Sequence, residues 1–289
     1  MKHHYISAFY TKHWAILADH RVCQFTLHSR GVASNRRAPA AIGFQEDLYS
    51  IPGAPPAISA YLEDQFFRVA DQEAALSLEA LLSGRLNQID DGQKSGWARF
   101  IMTLLNRTPE RIKWFGKVWA GMHAEAKDEA EKEIAKAGSD PDQLEEFENS
   151  FAGSFVKVMQ SMMDSTTIGR FIVNMRWGVI ELHDHQRLMT SDRPVLLTGG
   201  IRQPDAQIVV PLSPSKLFIA ANDAQILQNL IAIDAREISA RLNDAVVRQA
   251  EKYFFAVDDS QFAFVANRLG RQPSQFIAPA HLLKKYSRD

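Results

Sequence analysis

The sequence predicts an α+β fold: a mostly antiparallel sheet, built from N- and C-terminal segments, packed on a central helical block. Three observations predict it. A short alternating run, "RVCQFTLHS", lies near the start of the chain. Several more strand-like runs follow residue 174, divided by Gly, Pro, Asp and Asn. Between them the apolar residues recur at helical spacing, and no linker rich in Pro, Gly and Ser is long enough to separate two domains. Residues 1–289 are therefore expected to form one domain, with a charged helical projection at about 123–150.

The elements are expected in this order. "RVCQFTLHS" alternates and is a strand. Residues 29–45, "SRGVASNRRAPAAIGFQ", are small and polar and are expected to be irregular. The three prolines of "YSIPGAPPA" exclude a helix interior or central strand. From residue 58 the apolar positions shift face near Asp71, so two helices in series are expected, Asp71 capping the second and Gly84 ending it. "SGWARFIMTLLNR" is a further helix. Thr108-Pro109 is an N-cap followed by Pro at the first helical position. The helix it opens carries Trp114, Phe115, Val118, Trp119 and Met122, then an almost wholly polar stretch with charges three or four apart. Two further helices are expected in "SDPDQLEEFENSFAG" and "SFVKVMQSMMDSTTIGRFIV". "RWGVIEL", "RPVLLT", "AQIVVPL" and "KLFIAA" are strands, followed by two helices, the strand "YFFAV" and a last helix in "DSQFAFVANRL".

Composition narrows the class of function. The chain has 289 residues, 33 basic and 34 acidic, for a net charge of −1. That balance gives no overall pull toward phosphate backbones or anionic membranes. Its one cysteine, Cys23, excludes an intrachain disulfide and fits a reducing compartment. No window approaches the roughly 18 apolar residues of a membrane span, and the first ten residues lack a signal-peptide core. A cytoplasmic protein is expected. No P-loop, Rossmann glycine pattern, Gly-x-Ser-x-Gly elbow, His-Glu-x-x-His or Cys-x-x-Cys is found.

Seven segments occur together in order: "HHYISAFYTKHWA", "EDLYS", "YLEDQFFRVADQEAALSLEAL", "RTPERI", "LMTSDRP", "VVPLSPSKLFIAA" and "LNDAVVRQAEKYFFA". This series resembles the bacterial domain of unknown function 4238 family over nearly the whole chain. Ser7-Ala8 stands where the family's opening motif carries a Pro, and Thr11 where it carries Leu. The resemblance implies a coherent fold and intracellular life, and it implies no reaction.

The candidate chemistry lies in three places. Five of the nine histidines, His3, His4, His13, His20 and His28, fall in the first 28 residues. Neighbours in an extended chain face opposite ways, so at most one of His3 and His4 points inward; His4 is the candidate base, the alternative being a disordered terminus. Glu63, in "YLEDQFF", flanks Phe67 on a helix and is either a base or an acid that complements the helix dipole. His183 and His185 alternate, so on a strand both face one side and are candidate ligands of a divalent metal ion; a solvated hairpin turn in "HDHQ" is the alternative. "LMTSDRP" interrupts an apolar run with Ser191, Asp192 and Arg193. Asp192 is expected either to bond backbone amides in its turn or to enter a cleft, where it ligates a metal or orients a histidine.

Two functions follow. The first is a hydrolase of phosphoesters or nucleic acid, with His4, Glu63 and Asp192 as base or ligands. Arg107, Arg193 and Ser191 would bind the phosphate-containing substrate. The second is a non-enzymatic sensor in a stress or phage-response system, meeting a protein partner through the aromatic helix near Trp114 and Trp119 and the charged projection.

Overall fold

A computed structural model describes residues 2–49, 66–137, 141–182 and 187–271. Glu63, His183 and His185 lie outside the described residues, as does the connector "YSIPGAPPA" except for its first residue, Tyr49.

The fold is α+β, with antiparallel sheets around a helical block. Strand β1 (Lys2–His4) pairs with β4 (Phe44–Glu46), opposing His4 to Phe44. Strands β2 (Val22–His28) and β3 (Gly31–Arg37) form a hairpin in register from Val22↔Arg37 to His28↔Gly31. Late in the chain, β10 (Tyr253–Ala256) adds to β2 and carries the short β6 (Thr190–Ser191) on its far side, in the order β3-β2-β10-β6. This sheet joins the two ends of the chain, as the distribution of alternating runs predicts. A second sheet comes wholly from the later half: β5 (Arg176–Glu181), β7 (Leu196–Thr198), β8 (Gln207–Ser213) and β9 (Lys216–Ala221), in the order β5-β9-β8-β7.

Two expectations need correction. Residues 29–45 are not irregular throughout, because they supply β3 and β4. Their polar letters belong to an edge strand, where one rim is free and polar side chains are tolerated. Nor does Asp71 cap a helix; the first of the two helices expected there lies mostly outside the described residues. Helix α2 (Arg68–Leu82) runs through Asp71, which lies in its first turn, with Gly84 just beyond the end at φ +74°. Its core stripe is Ala70, Ala74, Ser77, Leu78 and Leu81, while Val69 and Leu76 are exposed. Those two outward apolar residues blur the helical period into an apparent change of face.

Helix α1 (Ala8–Thr11) follows β1. Helix α3 (Asp91–Asn106) opens on a reciprocal cap between Asp90 and Gln93. It packs closely on α2 at Gly96, where a Cβ would stand 3.1 Å from the Cβ of Glu73. Thr108 caps α4 (Pro109–Ala137), its hydroxyl accepting from the Arg111 amide at 3.4 Å. Helix α5 (Pro141–Met163) packs on α4. Short helices α6 (Thr166–Asn174), α7 (Ala224–Ile231), α8 (Ala235–Gln249) and α9 (Phe262–Ala266) complete the fold; Ser165, Asp223 and Asp234 cap the first three. Among the described residues no helix is long and apolar enough to cross a membrane.

Candidate functional site

The opening segment turns sharply at Ile6, and that turn builds a polar cleft. Gly43, at φ +64°, accepts from the amides of Tyr5 and Ile6, and a Cβ there would lie 2.7 Å from the Ile6 carbonyl oxygen. The chain then enters α1 through Ser7. The Ser7 hydroxyl does not cap its own helix. It donates to Asp71 Oδ2 at 2.7 Å and accepts from Arg107 Nη2.

Arg107 is fully buried at the C-terminal end of α3. Its Nη2 also donates to Asp71 Oδ1 at 3.1 Å, and its Nε to the Tyr5 carbonyl at 3.0 Å. Nη1 has no hydrogen-bond partner among the described residues; the guanidinium carbon lies 5.5 Å from the Phe67 ring centroid. The guanidinium fork suits this role, because it bonds a carboxylate, a hydroxyl and a carbonyl from two segments at once.

In front of this clamp lies a cleft of about 380 Å³ whose polar lining is His4, Ser7, Arg68, Asp71 and Gln72. Arg68 is exposed and makes no ion pair among the described residues. The alternation expected at His3-His4 holds, with the inward member being His3. It is 1% exposed, stacked on Tyr49, and its Nδ1 accepts from the Tyr49 amide. His4 is half-buried at the cleft. Its Nε2 donates to the Ala40 carbonyl at 3.4 Å, which leaves Nδ1 as the acceptor of the neutral ring. Burial holds its pKa below the usual 6.5; the charge of Arg107 pushes the same way and that of Asp71 opposes. His4 is therefore neutral at pH 7.

Asp192 lies elsewhere and has a different task. It is buried, and its carboxylate accepts from the amides of Glu251 (2.9 Å), Lys252 (2.8 Å) and Tyr253 (2.8 Å). Its own amide donates to the Tyr253 carbonyl. It thus bonds backbone amides, one of the two roles expected of it, but those of the turn between α8 and β10 rather than its own. Burial pushes its carboxyl up to about 6 against the pull of the three amides. Ser191 accepts from the Arg193 amide, and Arg193 bridges Glu110 (3.3 Å) and Glu251 (2.8 Å). No imidazole bonds Asp192 among the described residues, so the expected meeting of His4 and Asp192 is not formed. Both oxygens are already committed to the turn.

The opening segment nevertheless reaches the "LMTSDRP" stretch through its aromatic residues. Tyr10 donates to the Pro211 carbonyl at 2.7 Å and so accepts from the Thr190 hydroxyl at 2.8 Å. Trp14 donates to the Leu188 carbonyl.

The aromatic face proposed for a partner is covered at Phe115 and Trp119, while Trp114 is half-buried and Met122 exposed. Trp119 is 8% exposed and packs on Phe151 and Phe155 of α5, which also meets Phe115. Glu148 ties the two helices through His123 and Lys127. No group of three or more His, Cys, Asp and Glu able to hold a metal ion occurs among the described residues.

Sequence reasoning found His4 and Arg107 but missed the rest of the cleft. Ser7 drew notice only as a departure from a family position, and Asp71 only as a cap. Arg68 and Gln72 carried no local signal, since only the helical spacing of 68, 71, 72 and 75 puts them on one face.

The fold and site define an α+β protein with a polar cleft over a buried arginine clamp. The chain belongs to the family described as protein of unknown function (DUF4238), whose model matches residues 2–260. No curated protein and no solved structure matches it.

Proposed function

We propose that the chain is a hydrolase of phosphoesters, acting in the cytoplasm, with the cleft at His4 as its substrate site. One observation carries the reading. A half-buried histidine, held neutral and with one ring nitrogen committed to the Ala40 carbonyl, shares a cleft with the exposed Arg68. His4 Nδ1 takes a proton from water as the water attacks phosphorus. The ester P–O bond breaks, and the leaving oxygen is protonated by the imidazolium or by solvent. Arg68 offsets charge on the phosphoryl oxygens. Asp71 is a positioning residue, because both its oxygens are held by Ser7 and Arg107. Gln72 is available to bond the ligand. Asp192, Ser191 and Arg193 are assigned to the fold.

The test is hydrolysis of bis-p-nitrophenyl phosphate by the purified chain, with EDTA or with added Mg²⁺ or Mn²⁺. Activity that falls about 10²–10⁴-fold in His4→Ala supports the reading, and the metal arms show whether a divalent ion takes part. A wild-type chain no faster than buffer under all three conditions, or a fully active His4→Ala, refutes it.

A further inference from the structure

We propose that the substrate of this cleft is a single-stranded nucleic acid, guided to it along the β2–β3 ribbon; this rests on the hydrolase reading. Residues 20–37 contain four arginines, two histidines and no acid. They form the hairpin, with β3 at the rim of its sheet. Arg21, Arg30 and Arg37 are exposed, and their side chains make no ion pair among the described residues. The fourth, Arg36, is paired with Asp19, lies within the field of Asp258 as well, and donates to the Val257 carbonyl. Arg37 lies on β3, Arg30 in the turn of the hairpin and Arg21 just before β2; cations without an ion pair at these positions are suited to phosphate oxygens, and Ser29 and Asn35, also exposed, supply further donors.

The ribbon also points at the cleft. Only Ala38 and Pro39 separate Arg37 from Ala40, whose carbonyl holds His4. Three Cα steps span at most about 11 Å. A phosphate on Arg37 therefore lies one short stretch of backbone from the proposed base. A strand lying along β3 would follow a track of about 20 Å that ends at His4. Phe9 lines the same cleft and offers an apolar surface to a base.

The near-zero net charge does not oppose this, because the charge is segregated. Residues 123–150 hold ten acids and three lysines, net −7, so the remainder of the chain carries +6. A polyanion is drawn to the body and repelled by the α4–α5 arm.

The experiment is fluorescence anisotropy of a labelled single-stranded 20-mer, as DNA and as RNA, with duplex DNA as a third arm. It compares wild type with the triple variant Arg21→Ala/Arg30→Ala/Arg37→Ala. Wild type should bind single strands more tightly than duplex, with affinity falling as salt rises. The triple variant should bind at least tenfold more weakly and lose about two from the slope of log K against log salt. Unchanged binding by the triple variant, preference for duplex, or no binding at 50 mM salt overturns the inference. Hydrolysis of bis-p-nitrophenyl phosphate separates the two readings. A triple variant that keeps that activity but has lost strand binding is the result expected. A wild type that cleaves the small ester yet ignores nucleic acid sinks this inference alone. Circular dichroism of the triple variant checks that the hairpin stays folded.

Discussion

Replacing Asp192 by Asn tests whether burial or hydrogen bonding governs the "LMTSDRP" turn. The substitution keeps shape and removes charge. Oδ1 can still accept from the Glu251 amide, but the new NH₂ faces the amides of Lys252 and Tyr253, which both donate to Oδ2 in the native chain. Two partly buried N–H groups lose their acceptor, at about 1 kcal/mol each toward the low end of the range. Removing the charge also relieves its burial cost, about 3 kcal/mol by the shift worked below, so Asp192→Asn should stay within about 1 kcal/mol of wild type at pH 7. The second observable is pH. Burial raises the folded carboxyl from 3.8 to about 6, so the folded chain holds this proton more tightly than the unfolded chain. The linked stability is fully present below about 3.8 and is lost as pH rises through about 6; the shift corresponds to about 3 kcal/mol. Asparagine has no such proton. Wild type should gain stability relative to the variant on acidification from pH 7 to 4, by as much as that amount. Urea denaturation at fixed ionic strength reads both quantities from the midpoint, provided the m-value is unchanged. A wild type that loses stability relative to the variant on acidification would mean that the three amides outweigh burial and the carboxyl sits low, which refutes the reasoning.

Three further outcomes follow. Arg107→Met should destabilise the fold by about 3–5 kcal/mol, because Asp71, Ser7 and the Tyr5 carbonyl lose one shared donor and a carboxylate is left beside apolar surface; calorimetry that shows an unchanged melting temperature would contradict the clamp. The His4 ring should titrate below 6.5 by NMR, and Asp71→Asn should lower the midpoint further, since the Asp71 charge is among the influences that raise it; an upward shift would place His4 outside the field of Asp71. Gly43→Ala should cost about 2 kcal/mol or more, as its left-handed backbone and the 2.7 Å approach to Ile6 both oppose a methyl group, with loss of stability in chemical denaturation as the check.

What was legible in the sequence was whatever rests on local periodicity. Strands β5, β8, β9 and β10, the Thr108-Pro109 start of α4 and the Gly84 stop of α2 are written in neighbouring residues. Failures occurred where tertiary partners decide. Strand β3 has a polar composition that only pairing with β2 makes into a strand. Leu76 misreads as core because a helical wheel cannot say which side will be covered. Of the cleft and the clamp behind it, only His4 and Arg107 were legible. Their shared centre depends on Ser7 and Asp71, 64 residues apart, and on Ser7 and Arg107, 100 apart. No window of sequence contains those bonds.

The acid that stood out most in the sequence is the one the fold uses as a fastener, and this follows from where the apolar run places it. Asp192 sits between Thr190-Ser191, which pair with β10, and Arg193, whose side chain joins α4 to the α8–β10 turn through Glu110 and Glu251. A carboxylate so enclosed can be satisfied only by donors fixed at short range, and the amides of residues 251–253 are the ones present. His4 is the opposite case. It lies in a three-residue strand beside a bend and keeps one ring nitrogen outside the hydrogen bonds of the fold. Chemistry needs a group with capacity left over, and by that measure the proposed site is better placed at His4 than at Asp192.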